Sequence, residues 1–273
     1  MGGETVSDMQ SGGRRALITG GASGFGLAIA EALLARGAQV AIGDIDRDRL
    51  QEAERGLGSD DLLAVELDVT SPESAASAVA ACEARFGGLD TLVNSAGVIA
   101  FNPLEKISEA EWDFVLDVDL KGTFLCCQAA AALLCASGRG RIVNIGSDAS
   151  KVGFPLLAHY CAAKFGVVGL TKVLAGELAP RQVTVNCVCP VGVSGTGMGQ
   201  EILELKTEAT GMQPQEILAA TAADIPLQRN PTVQDIVNAV LFFISDEAAF
   251  LTGSALDVDG GMLSTIPVPG MEV

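Results

Sequence analysis

The sequence predicts an α/β fold, a parallel sheet covered by helices on both faces. Two observations carry this expectation. Short apolar runs recur along the 273 residues, and amphipathic helical patterns fall between them in strict alternation. A parallel sheet buries both faces, so its strands read as continuous apolar runs rather than alternating ones. No repeat or linker divides the pattern, so one domain is expected.

The first strand, 16–19, leads into Gly20-Gly21-Ala22-Ser23-Gly24-Phe25-Gly26 and then a helical pattern closed by Gly37. Glycines at such a turn let the backbone approach a pyrophosphate, at the positive end of the helix. The second strand, 40–43, ends at Asp44, about 20 residues after the turn. A carboxylate there accepts hydrogen bonds from the ribose of NAD and repels the 2′-phosphate of NADP. Further strands are expected at 63–67, 91–94, 141–145, 184–188 and 255–258, with helices at 71–86, 109–137, 158–178 and 233–245. Right-handed crossovers then give a Rossmann-type doubly wound sheet. Asn94, Ser147 and Pro190 follow strand ends and converge on the carboxyl edge, where such sheets bind ligands. The glycine-rich stretch 195–226, set around a helical pattern at 200–208, breaks the alternation, and long irregular segments of this kind are often functional.

Composition narrows the function. With 49% apolar residues and no uninterrupted run of about 18, no membrane span is expected. A formal charge of −17 argues against nucleic acid and anionic membrane surfaces as partners. Residues 1–13 are polar and glycine-rich without an apolar signal region, and are read as a disordered tail. The domain is placed at 14–263, with a C-terminal tail at 264–273. The seven cysteines have no metal-ligand spacing, and a single histidine weakens any zinc site, so no metal is expected. They are read as reduced thiols in a cytoplasmic protein. Cys187 and Cys189 are expected on opposite faces of their strand.

Tyr160 and Lys164 stand four residues apart, close to one helical turn, with Ser147 thirteen residues upstream. A phenol titrates near pH ~10, and a neighbouring cation lowers that value. Tyr160 beside Lys164 is therefore a candidate general acid or base. His159 raises a rival reading, a Ser-His-acid hydrolase. No G-x-S-x-G elbow occurs, and adjacent helical residues diverge by about 100°, so His159 is expected to face solvent.

Taken in order, these motifs resemble the short-chain dehydrogenase/reductase family from about residue 14 to 261. Thr19-Gly20-Gly21-Ala22-Ser23-Gly24-Phe25-Gly26 matches its T-G-x-x-x-G-x-G motif, and Asn94-Ser95-Ala96-Gly97 its N-N-A-G motif with serine in second place. Asp68-Val69 matches the pair that meets adenine, and Ser147, Tyr160 and Lys164 match the catalytic serine, tyrosine and lysine.

The resemblance implies seven strands and a dinucleotide site made by Gly20, Ser23, Gly24, Phe25 and Gly26, by Asp44, Ile45, Asp68 and Val69, and by Asn94, Ala96 and Gly97. Tyr160, Lys164, Pro190, Val193 and Thr196 complete it, the hydroxyl of Thr196 being preferred to that of Ser194 for the nicotinamide carboxamide. Ser23 and Ile45 occupy the places where NADP-preferring relatives often carry a basic residue, so NAD is expected. By analogy Ser147 holds the substrate oxygen, Tyr160 takes the hydroxyl proton, and Lys164 lowers the phenol pKa and bonds the ribose. Residues 195–226 become a lid, with Gly195 and Gly197 as its hinge.

One departure concerns the family's N-x-x-G pattern, which here reads Asp119-Leu120-Lys121-Gly122, so Asp119 is carried as a fourth catalytic member. The implied partner is a small-molecule secondary alcohol or its ketone, such as a sugar, polyol or hydroxy acid. Apolar loop residues such as Phe101, Phe154 and Met198 favour an uncharged one. Alternatives are a 3-oxoacyl-type NADPH reductase and a non-enzymatic dinucleotide-binding scaffold. Homo-oligomers, dimers or tetramers, are implied through the helices around 117–137 and 158–178.

Overall fold

The computed structural model describes residues 13–264. The expected tails at 1–13 and 264–273 therefore lie outside the described residues except for their innermost positions. Seven strands form one parallel sheet in the order β3-β2-β1-β4-β5-β6-β7. They are β1 (Arg15–Thr19), β2 (Gln39–Asp44), β3 (Leu62–Glu66), β4 (Thr91–Asn94), β5 (Arg141–Ile145), β6 (Thr184–Pro190) and β7 (Ala255–Val258). The order reverses between β1 and β4, and that switch point opens the crevice in which a ligand can lie.

Side chains alternate across each strand and feed two cores. Ile18, Ile42, Val93 and Val143 pack beneath α1 (Gly24–Leu34), α2 (Arg47–Leu57) and α9 (Val233–Ile244). Leu17, Ala41, Leu92 and Ile142 pack on the other face, beneath α3 (Pro72–Phe86), α5 (Gly122–Ala136) and α6 (Ala158–Leu178). Caps set the helix starts. The Asp46 carboxylate accepts the Asp48 and Arg49 amides at α2, and Ser71 accepts the Ser74 amide ahead of Pro72 at α3.

Three expectations need correction. The helix expected over 109–137 is α4 (Glu109–Leu116), a wide π turn over Asp117–Lys121, and α5. Such insertions cluster at functional sites, and here the turn carries Asp119, which is 1% exposed. The segment 195–226 is mostly regular, with α7 (Gly197–Thr210) capped by Thr196 and α8 (Pro214–Asp224) started by its proline. Cys187 and Cys189 share a face, their sulfurs 3.8 Å apart, because positions two apart in a strand point the same way.

The apolar stretch Glu109–Ala136 is long enough to cross a bilayer by composition. Its α5 part packs against α3 and the sheet, as a core helix does. At the amino edge of the sheet, buried Asp90 accepts from Arg15 Nε at 3.1 Å and Arg139 Nη2 at 3.3 Å, while buried Arg14 pairs with Asp246 at 2.6 Å. This ion cluster lies at the edge opposite the carboxyl ends of the strands.

Candidate active site

The glycine turn follows β1 directly. Gly20 has φ +62°, and a Cβ there would meet Ala96 Cα at 2.8 Å; a Cβ on Gly26 would strike the Gly20 carbonyl. Only glycine lets strand, turn and helix approach this closely. The hydroxyl of Thr19 accepts the Ser95 and Ala96 amides, both at 3.1 Å, and ties the turn to the end of β4. The first amides of α1, at Gly24, Phe25 and Gly26, lack intrahelical acceptors, and no side chain caps them, so they are available to an anion. Asp44 ends β2 with its carboxylate accepting the Ala22 amide at 3.2 Å and the Asp46 amide at 3.1 Å, which fixes it beside the turn. Exposed Ile45 follows it, and Arg47, the next cation along the chain, is paired with Glu66. Asp68 is held by Thr70, beside buried Val69.

Two expected cofactor residues are placed differently from their neighbours. The Asn94 carboxamide points inward, donating to Asn144 Oδ1 at 2.8 Å, and Asn144 in turn donates to Thr171. Beyond it, Ser95 and Gly97 line the cavity. The Thr196 hydroxyl donates to the Val193 carbonyl and accepts the Gly199 amide, both at 3.0 Å, so it caps α7. A Cβ on Gly24 would lie 3.8 Å from Thr196 Cβ, which puts Thr196 against the glycine turn. The Ser194 hydroxyl makes no hydrogen bond among the described residues.

Ser147, Tyr160, Lys164 and Asp119 are all buried and come together. Lys164 Nζ lies 3.2 Å from Asp119 Oδ2, 3.3 Å from the Ile145 carbonyl and 5.5 Å from the centre of the Tyr160 ring. Asp119 also accepts the Val98 amide at 2.8 Å. Burial disfavours the Lys164 ammonium, but Asp119 and Tyr160 outweigh it and raise its pKa. Burial pushes the Asp119 carboxyl upward, while Lys164 and the Val98 amide hold the anion.

The Tyr160 phenol differs from expectation. Burial raises it, Lys164 lowers it, and Asp119 raises it again, for a net rise in the protein without cofactor. Lys164 acts in the expected direction but is outweighed.

Asp148 was not among the expected catalytic residues. Its Oδ1 accepts the Ser147 hydroxyl at 2.7 Å and the Ala149 amide at 2.8 Å. Burial pushes the Asp148 carboxyl up, against those two bonds. The single Ser147 proton is thus contested, since a bond from Ser147 also stabilises the Tyr160 phenolate.

His159 is fully buried, which corrects the solvent expectation. Its Nε2 lies 2.9 Å from Glu111 Oε1, and its Nδ1 accepts the Tyr160 amide at 3.0 Å. Asn102 binds both Glu111 oxygens, so this chain of contacts steadies the first turn of α6. Nothing in the sequence links residues 102, 111 and 159.

The cluster opens into a cavity of about 290 Å³ that reaches from Phe25 and Thr196 to α7 and α8. Its walls include Ile99, Phe101, Phe154, Met198 and Leu203. Lys151 is not in it and pairs with Asp257 at 2.9 Å. A larger concavity of about 580 Å³ lies beside β7, contains none of the catalytic cluster, and has Asp235, Asp257 and Asp259 on its walls. The smaller one is the candidate site, because a phenol, a cation and a hydroxyl converge in it.

Residues 20–263 match the family model described as enoyl-(acyl carrier protein) reductase. A 2-(S)-hydroxypropyl-CoM dehydrogenase of Xanthobacter autotrophicus is 42% identical over 90% of this chain and 94% of that protein. A D-threitol dehydrogenase of Mycolicibacterium smegmatis is 39% identical over 93% of this chain and 94% of that one. Among solved structures, an actinorhodin polyketide ketoreductase with NADPH has a TM-score of 0.86 at 32% identity, covering 92% of this chain and 97% of that chain.

Proposed function

The chain belongs to the short-chain dehydrogenase/reductase family and is an oxidoreductase of secondary alcohols and ketones, and on that premise we propose that it uses NAD+ with Tyr160 as acid and base. The observation that carries this reading is the buried group of Ser147, Tyr160 and Lys164 in the same cavity as the start of α1. The residues fit a dinucleotide: Gly20, Gly21 and Gly26 leave no room for a Cβ, and no side chain caps the first amides of α1.

Lys164 and the Ser147 hydroxyl stabilise the phenolate of Tyr160, which takes the alcohol proton. Asp119 holds Lys164 in place. Ser147 binds the substrate oxygen, and the lid helices α7 and α8 exclude water. Bound nicotinamide supplies the hydride acceptor, and its positive charge opposes the upward pull of burial on Tyr160. Ser194, with its free hydroxyl, is the better candidate than Thr196 to bind the carboxamide.

Asp44 supports NAD+ over NADP+, since a 2′-phosphate would meet a carboxylate with no free cation beside it. An NADPH-dependent reductase is the second reading, favoured by the polyketide ketoreductase relative that carries NADPH. Specificity constants for NAD+ and NADP+ with a panel of secondary alcohols decide between them. NAD+ is expected to lead by at least about tenfold; an NADP+ preference sinks the reading.

Free thiols, five of the seven buried, suit a reducing cytoplasm. Exposed Phe124 on α5, with Phe165 and Val173 on α6, support a homo-oligomer through those helices, which sedimentation would test.

A further inference from the structure

On the dehydrogenase reading, we propose that Lys206 forms an anion subsite in the substrate cavity, so that the preferred substrate is a secondary alcohol bearing a carboxylate, sulfonate or phosphate remote from its carbinol carbon.

Helix α7 faces the cavity with Gly199, Ile202, Leu203 and Lys206. Their spacing of three, four and seven residues defines one helical face. Such an inward face is ordinarily apolar, with charge on the outer side. Here it is non-polar at Gly199, Ile202 and Leu203, and its last position is Lys206, an exposed residue that still lines the cavity. Residues 195–226 carry five acids, Glu201, Glu204, Glu208, Glu216 and Asp224, and a single cation, Lys206. None of those acids lines the cavity, and Lys206 does.

Lys206 is also uncompensated. Of the two lysines that line the cavity, Lys164 is held by Asp119, whereas the Lys206 ammonium, like those of Lys106 and Lys172 elsewhere, makes no ion pair or hydrogen bond among the described residues. Asp148, on the cavity's opposite wall, feels its charge but is already bonded to Ser147 and Ala149.

The Lys206 ammonium is exposed, so water partly screens its attraction for an anion, and the apolar walls beside it limit that screening. The carbinol would lie at Ser147 and Tyr160, an apolar spacer against Ile202, Leu203 and Ile217, and the anion at Lys206. The uncharged substrate expected from the loop residues is thereby replaced, because the charge enters from the lid helix.

The test uses the full-length protein and a chain-length series of (ω−1)-hydroxyalkanoates beside their methyl esters, with NAD+ and with NADP+. At the best length the acid should exceed its ester in kcat/KM by about tenfold or more. Lys206→Met should collapse that ratio toward one, Lys206→Arg should preserve it, and added salt should narrow it. Equal constants for acid and ester, or an acid preference unchanged in Lys206→Met, overturns the proposal.

Turnover of esters without acid preference sinks the subsite alone, whereas no turnover of any alcohol with either cofactor sinks the dehydrogenase reading. In that case calorimetry with 1-pentanesulfonate still decides: salt-sensitive binding lost in Lys206→Met supports the subsite, and binding that ignores the substitution, or none, refutes it.

Discussion

Asp119→Asn keeps the side chain's shape and removes a buried charge 3.2 Å from the Lys164 ammonium. At an effective dielectric constant of ~20, unit charges at that distance attract by about 5 kcal/mol. Asp119 therefore draws on the field that Lys164 would otherwise direct at the phenol, and it raises Tyr160 in its own right. If a quarter of the pair energy passes to the phenolate, about 1.3 kcal/mol, the phenolate population at neutral pH rises roughly tenfold.

In alcohol oxidation the phenolate is the active form, so the rate rises with pH through the phenol's pKa. Lowering that pKa moves the acid limb of the pH profile to lower pH. The assay is kcat for alcohol oxidation from about pH 6 to 10 at saturating cofactor. Asp119→Asn should be as active as the parent at neutral pH, or more so. Stability should fall by about 1–3 kcal/mol, because one amide oxygen replaces two carboxylate acceptors facing Val98 and Lys164. A folded variant that loses turnover by several orders, or whose acid limb moves upward, would refute the reasoning.

Asp148→Asn removes a second carboxylate that raises Tyr160 and competes for the Ser147 proton, so its acid limb should also move to lower pH; an unchanged profile would count against the role given to Asp148. Asp44→Ala should reduce the preference for NAD+ over NADP+ in kcat/KM by roughly 10–100-fold, and a preserved ratio would show that another group selects the cofactor. Asp90→Ala leaves the partly exposed Arg15 and Arg139 without their shared carboxylate and should cost about 1–3 kcal/mol in urea unfolding. A cost below about 1 kcal/mol would show that water or Asp246 compensates.

What the sequence made legible were features fixed by local chemistry. A glycine turn, a strand-end acid and a tyrosine one turn before a lysine each need particular residues at particular spacings, so Gly20, Asp44, Tyr160 and Lys164 could be named from order alone. The apolar runs located all seven strands because a sheet covered on both faces leaves no other pattern.

Tertiary consequences were hidden. The π turn at Asp117–Lys121 has no propensity signal, since its residues also suit an ordinary helix. The inward turn of Asn94 depends on Asn144, fifty residues away. The sign of the Tyr160 shift depends on how deeply its phenol is buried, and the sequence reading weighed Lys164 without weighing burial. The hold of Asp148 on Ser147 arises from the sharp turn after β5, which no spacing in the sequence announces.

The central claim is that the Tyr160 hydroxyl moves the substrate proton in an NAD+-dependent oxidation. The most direct test measures NADH formation by Tyr160→Phe and the parent at saturating alcohol, with NAD+ affinity determined for both. The account predicts turnover lower by about 10²–10⁴-fold with NAD+ affinity changed only a few-fold. Turnover within about tenfold of the parent, with the cofactor still bound, would contradict it.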